Sequence, residues 1–172
     1  MLFYILWSIV VLYLNGKAAT FAKKRALSLQ NKPLPDILHD VLPKIYHDTP
    51  DYLLWMCILY AAFFKCDVAT GEVLRLLCSM SLRPIFICLT TFPTCCDFNK
   101  NNKSFYGQLV QSTHDLMFSG HTCCFLFLGN VIKGYGIIRY LFPLTLIAAR
   151  QHYTIDVVVA ILVYHFIPII IP

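Results

Sequence analysis

Apolar residues gather in six runs along the chain, at about 1–14, 52–66, 73–95, 116–132, 137–149 and 154–172, with short polar segments between them. Runs this long and this apolar predict helices in a bilayer rather than the core of a small soluble domain. Six spans of roughly 20 residues need about 120 of the 172 residues, which leaves about fifty for loops and termini. The expected fold is therefore all-α: a polytopic membrane protein, a compact six-transmembrane-helix bundle forming one integral-membrane domain over 1–172. No room is expected for an additional soluble domain.

The pattern weakens at both ends. The first run stops near Asn15, short of a full crossing, and Lys17 follows it rather than preceding it. That order favours a retained, short first helix over a signal peptide. The chain closes on FIPIIIP, so no substantial cytosolic tail is expected. The longest hydrophilic stretch, 15–51, begins basic and continues as NKPLPDILHDVLPKI, where three prolines set extended or turn geometry. Within it Ile37, Leu38, Val41 and Leu42 recur at helical spacing, which predicts a short amphipathic helix lying on the bilayer. Tyr52 and Trp55 are placed as interfacial anchors of the second span. In the third, Arg75 is close enough to the start to snorkel, whereas Arg83 is deeper and needs a partner or an anion.

Composition supports the membrane reading: 58% hydrophobic, 13% charged, mean hydropathy +0.65. The net charge of +5 comes largely from Lys17, Lys23, Lys24, Arg25 and Lys32. With no soluble domain to present them, these residues argue against nucleic-acid binding and for a positive-inside loop or a contact with anionic head groups. The eight cysteines, at 57, 66, 78, 88, 95, 96, 123 and 124, lack metal-ligand spacing and read as small buried hydrophobes. A disulfide involving Cys95 or Cys96 is open if the 96–115 loop is lumenal. That loop carries a glycosylation sequon at Asn102-Lys103-Ser104.

Two polar islands interrupt this background: HDLMFSGHT at 114–122 and ARQHYTIDV at 149–157. Ionisable groups are costly at membrane depth and usually mark function. Ser119 and Gly120 are expected to open a helix whose N-terminal N–H groups and dipole would cradle a phosphate. His121 would then lie within reach of a leaving-group oxygen. His152 and Asp156 are four residues apart, so on a helix they would share one face. The carboxylate could fix the imidazole tautomer and leave the other nitrogen as nucleophile. This is the pattern of a phosphohistidine-forming lipid transferase or phosphatase. His39, His47 and His165 are read as ordinary loop or core histidines, and His114 as at most a loop cap.

SGHT followed by HYTID resembles the sphingomyelin synthase family, within the type 2 phosphatidic acid phosphatase superfamily. PLPDILHDVLP at 33–43 is similar to that family's PLPD segment, and Arg83 before TTFP at 90–93 to its arginine before TTLP. The resemblance covers about 33–165. It implies that His152 is the nucleophile, Asp156 its partner, and His121 the group that protonates diacylglycerol and then deprotonates ceramide. It further implies a phosphate clamp at Arg83 and matches Asp115 to the aspartate of the family's Cys-Gly-Asp. No cofactor or metal is implied; the partners are ceramide and a glycerophospholipid within a Golgi or other secretory-pathway membrane.

The departures bear on the head group. Cys-Gly-Asp is here Thr113-His114-Asp115. The superfamily arginine six residues before the second histidine is Leu146, and the lysine seven before Arg83 is Leu76. Arg150, two residues before His152, resembles inositolphosphoceramide synthases. The expected activity is transfer of a phospho-head-group to ceramide, with phosphocholine preferred and inositol or ethanolamine open. The alternatives are a phosphatase or phospholipase C-like hydrolase using the same histidines, and a catalytically silent lipid-binding protein. The charge rule would turn the islands to the cytosol, whereas the family resemblance turns them to the lumen.

Overall fold

A computed structural model of the chain describes residues 2–29, 32–64, 68–95, 117–132 and 134–170. Among them are seven helices and no strand: α1 (Leu2–Leu29), α2 (Ile37–Val41), α3 (Thr49–Phe63), α4 (Thr70–Leu89), α5 (Gly120–Val131), α6 (Ile138–Ala148) and α7 (Thr154–Ile170).

The first helix corrects the sequence expectation. It does not stop near Asn15 but continues to Leu29, through about two-fifths of the stretch read as hydrophilic loop. Ala18, Ala19 and Ala22 explain this: alanine is the best helix former, and its small side chain lets α1 lie close against α4. Ala18 and Ala22 pack directly on Ile87. Hydroxyls of Ser8 and Thr20 bond back to Tyr4 and Gly16 carbonyls at 2.8 Å, which satisfies them within the helix. Over Leu2–Ala26, α1 is also the one described helix long and apolar enough to cross a bilayer. By contrast α3, α5, α6 and α7 have 15, 12, 11 and 17 residues, below the roughly 20 of a full crossing.

Helix α5 is the core of the bundle, packed against α3, α4, α6 and α7. Its Cys123 and Leu126 join Phe118, Ala160 and Tyr164 in one buried cluster. Phe125 joins Leu146, Ile147 and Val157 in another, which Leu38 and Leu42 of the α2 segment cover. The helices alternate in direction. Arg83 in the last turns of α4 lies beside Gly120 at the start of α5, and Glu72 at the start of α4 reaches Asn130 at the end of α5. One end of the bundle therefore collects both polar islands. Outward, α1, α3, α6 and α7 expose large apolar side chains, Leu6, Ile9, Met56, Phe63, Leu141, Leu162 and Phe166 among them.

Candidate active site

The second island forms a turn before it forms a helix. At the end of α6, Arg150 N–H bonds Ile147 O at 3.0 Å and Gln151 N–H bonds Leu146 O at 2.9 Å. That is a Schellman closure, and it requires a left-handed residue after the cap. Arg150 fills the position at φ 58°, where glycine is usual. His152 thus precedes α7 rather than sitting on it, and the expectation of a shared helical face is corrected. The pair still meets, because Asp156 lies in the first turn of α7 and folds back. Its Oδ2 accepts the Tyr153 N–H at 2.9 Å and lies 3.4 Å from His152 Nδ1. Both side chains are buried. With Nδ1 toward the carboxylate, Nε2 is the nitrogen available for attack.

The first island supplies the second imidazole. The His121 ring is centred 6.5 Å from that of His152. Its Nε2 lies 2.9 Å from Asp51 Oδ1, on the first turn of α3, and Gln151 Nε2 donates to Asp51 Oδ2 at 2.9 Å. Asp51 therefore ties α3, α5 and the α6–α7 turn together, and each histidine has its own carboxylate. The His121 side chain keeps 24% of its surface exposed against 7% for His152.

Arg83 is buried beside the start of α5. Its Nε donates to Phe118 O at 2.8 Å and its Nη1 to Asn15 Oδ1 at 2.9 Å. Asn15 is itself fixed by bonds from Nδ2 to Val11 O and Met80 O. A Cβ on Gly120 would stand 3.3 Å from Arg83 Nε, so a glycine here is what brings the guanidinium to the helix N-terminus. Ser119 is the N-cap of α5: its Oγ accepts the Thr122 N–H at 3.2 Å, and its N–H bonds Asp156 O at 3.4 Å. The helix leaves the N–H groups of Gly120 and His121 without an internal acceptor.

The PLPD segment clasps the His152 turn from outside. Asp36 accepts the Thr154 N–H and hydroxyl, both at 2.6 Å, while capping α2 through Leu38 N–H at 3.0 Å. Burial works to raise its carboxyl, but the Thr154 bonds and His39 outweigh it and hold the group below the usual carboxylate value. His39, expected to be an ordinary loop residue, bonds the His152 carbonyl through Nε2 at 3.0 Å and stacks on Tyr153. The Tyr153 hydroxyl accepts Leu34 N–H at 3.0 Å and donates to Pro93 O at 3.1 Å. PLPD, TTFP and HYTID thus converge on one ring. His47 is also drawn in, with Nδ1 3.3 Å from Ala149 O; burial pushes its imidazole below the usual value.

The Arg150 guanidinium is engaged by backbone carbonyls, with Nη1 donating to Ile147 O at 3.1 Å. Its Nη2 donates to the carbonyls of His39 and Leu42, the latter at 3.1 Å, and so closes the C-terminal end of α2. Asp115, His114 and the 96–115 loop with its sequon lie outside the described residues, as does Cys96. The structure brings His121, His152, Asp156, Arg83, Ser119 and Gly120 to one place and adds Asp51, Asn15, Asp36, His39 and Gln151. Asp51 had a signal in sequence, an acid beside the interfacial Tyr52. Asn15, a lone amide between apolar runs, had none. Among the described residues no three His, Cys, Asp or Glu side chains gather as a metal site.

Compared with known proteins, the chain matches no family model and no curated protein sequence.

Proposed function

We propose that the chain is a membrane-embedded phosphotransferase of the sphingomyelin synthase type, moving a phospho-head-group from a glycerophospholipid to ceramide. One observation carries this reading: two imidazoles 6.5 Å apart, each backed by its own carboxylate, beside a buried arginine and a helix N-terminus. The Nε2 lone pair of His152 attacks phosphorus, and the bond to the diacylglycerol oxygen breaks as His121 supplies that oxygen with a proton. Asp156 stabilises the positive charge on the imidazole. The primary hydroxyl of ceramide then gives its proton to His121 and attacks phosphorus, and the P–N electron pair returns to His152. Arg83 and the Gly120 and His121 N–H groups stand where the phosphate charge would rest. Phosphocholine is the preferred head group.

The alternating helices and their exposed apolar faces support a bundle in which α1 and α3–α7 enter the bilayer while α2 lies at its surface. A secretory-pathway membrane with the site facing the lumen is the location that goes with this activity. The partial exposure of His121 supports a second reading, in which water is the acceptor and the enzyme is a lipid phosphate hydrolase.

Purified protein in liposomes, given fluorescent ceramide and each candidate phospholipid in turn, tests both readings. Transfer gives a labelled phosphosphingolipid; hydrolysis gives soluble phospho-head-group without ceramide dependence. His152→Ala and Asp156→Ala should abolish and strongly depress turnover, respectively. Equal product from wild type and both variants would defeat either reading.

A further inference from the structure

At the end of the bundle remote from His152, four helices present polar side chains to one another. Along α4 this place is about 16 Å from Arg83, at 1.5 Å per residue. Glu72 Oε1 pairs with Arg75 Nη1 at 3.0 Å; its Oε2 accepts from Asn130 Nδ2 at 2.8 Å and from Tyr164 OH at 3.0 Å. Asn130 Oδ1 accepts from Arg139 Nη1. Gly129 makes the approach possible, because a Cβ there would collide with the Arg139 Cβ. Arg75 lies over the Tyr164 ring and Arg139 over the Tyr140 ring, whose hydroxyl lies 3.0 Å from His165 Nε2.

Arg75 pairs with the carboxylate directly, Arg139 reaches it only through Asn130, and the carboxylate already accepts from three donors. Among the described residues the cluster keeps one positive charge in excess. Arg139 Nε is buried and meets no acceptor among the described residues. A net cation with an idle donor in apolar surroundings calls for an anion. Planar guanidinium groups are suited to phosphate oxygens.

We propose that Arg75 and Arg139 form a phosphate site for an acidic glycerophospholipid, held at the opposite end of the bundle from the two catalytic histidines. The site would bridge α4 to α6 through the bound phosphate, completing what Asn130 and Glu72 begin. It does not depend on the enzymatic reading.

Its test is binding, not turnover. Thermal unfolding of the purified, detergent-solubilised protein is followed with added phosphatidylglycerol, phosphatidylcholine or inorganic phosphate. Phosphatidylglycerol should raise Tm in a concentration-dependent manner, as a ligand of the folded state does, and by more than phosphatidylcholine, which has the histidine site alone to bind. Arg139→Gln and Arg75→Gln should each weaken the apparent affinity behind that excess about tenfold, whereas Arg83→Gln should leave the excess unchanged. Equal shifts with both lipids overturn the site. So does an excess kept in full by Arg139→Gln, or one lost in Arg83→Gln alone. A full shift from inorganic phosphate overturns the lipid as its source. The wild-type comparison stands even where a variant fails to fold.

Discussion

Asp51 Oδ1 and His121 Nε2 are 2.9 Å apart although 70 residues separate them in the chain. The carboxylate fixes Nε2 of His121 toward α3 and so sets the orientation of the ring 6.5 Å from His152. Asp51→Asn should therefore lower kcat of head-group transfer about 10- to 100-fold with KM little changed, and Asp51→Glu should recover part of the loss. Steady-state kinetics in liposomes would show it. A rise in KM at constant kcat would instead make Asp51 a binding residue.

Asn15 serves Arg83 alone among the site residues described. Asn15→Leu keeps the volume but leaves the Nη1 donor without its acceptor, at a cost of about 1–3 kcal/mol in stability. A fall in Tm together with slower transfer is the expected outcome. Unchanged Tm and activity would show that the guanidinium is held adequately by Phe118 O.

Much of this site could be read from the chain, and what could not follows a physical pattern. SGHT and HYTID announce themselves because charged groups at short spacing stand out from an apolar background. Asp156 meeting His152 was expected, but through a helix face; the actual route is a turn closed by a left-handed Arg150, which no periodicity reports. Asn15 and Asp51 lie 106 and 70 residues from His121 in sequence, and only packing brings such partners together. The extension of α1 to Leu29 was missed because lysines at 17, 23 and 24 read as the end of a span, whereas the alanines between them form the buried face.

Arg150 separates two roles by a simple comparison. As the left-handed residue it carries strain that glycine would relieve, so Arg150→Ala should be less stable than Arg150→Gly by about 1 kcal/mol. Both should lose the bonds to α2 and fall below wild type in Tm. If either raises KM for the phospholipid donor without a change in stability, the guanidinium contacts the head group instead.

Acid should loosen the clasp at two separate stages. His47 has a depressed imidazole value, because burial disfavours its charged form, so the folded state binds fewer protons than the unfolded chain below pH 6.5. Stability should fall as pH drops through that range, and His47→Gln should flatten the slope. Asp36 behaves differently: its carboxyl is held below 3.8, so its contribution is intact above that pH and is lost only as pH falls through the lower folded value. Unfolding midpoints measured between pH 7 and about 4.5 would show the first decline and not the second.

The contact between Asp36 and Thr154 spans 118 residues, and it has a consequence for biosynthesis. The chain emerges from the ribosome N-terminus first, so the PLPD segment must wait for another 118 residues before its partner exists. Until α7 is inserted, His121 and Asp51 can already pair, but no His152 stands opposite them. On the proposed reading, a growing chain therefore carries the proton-transfer pair without its nucleophile, and head-group transfer would begin only once α7 docks.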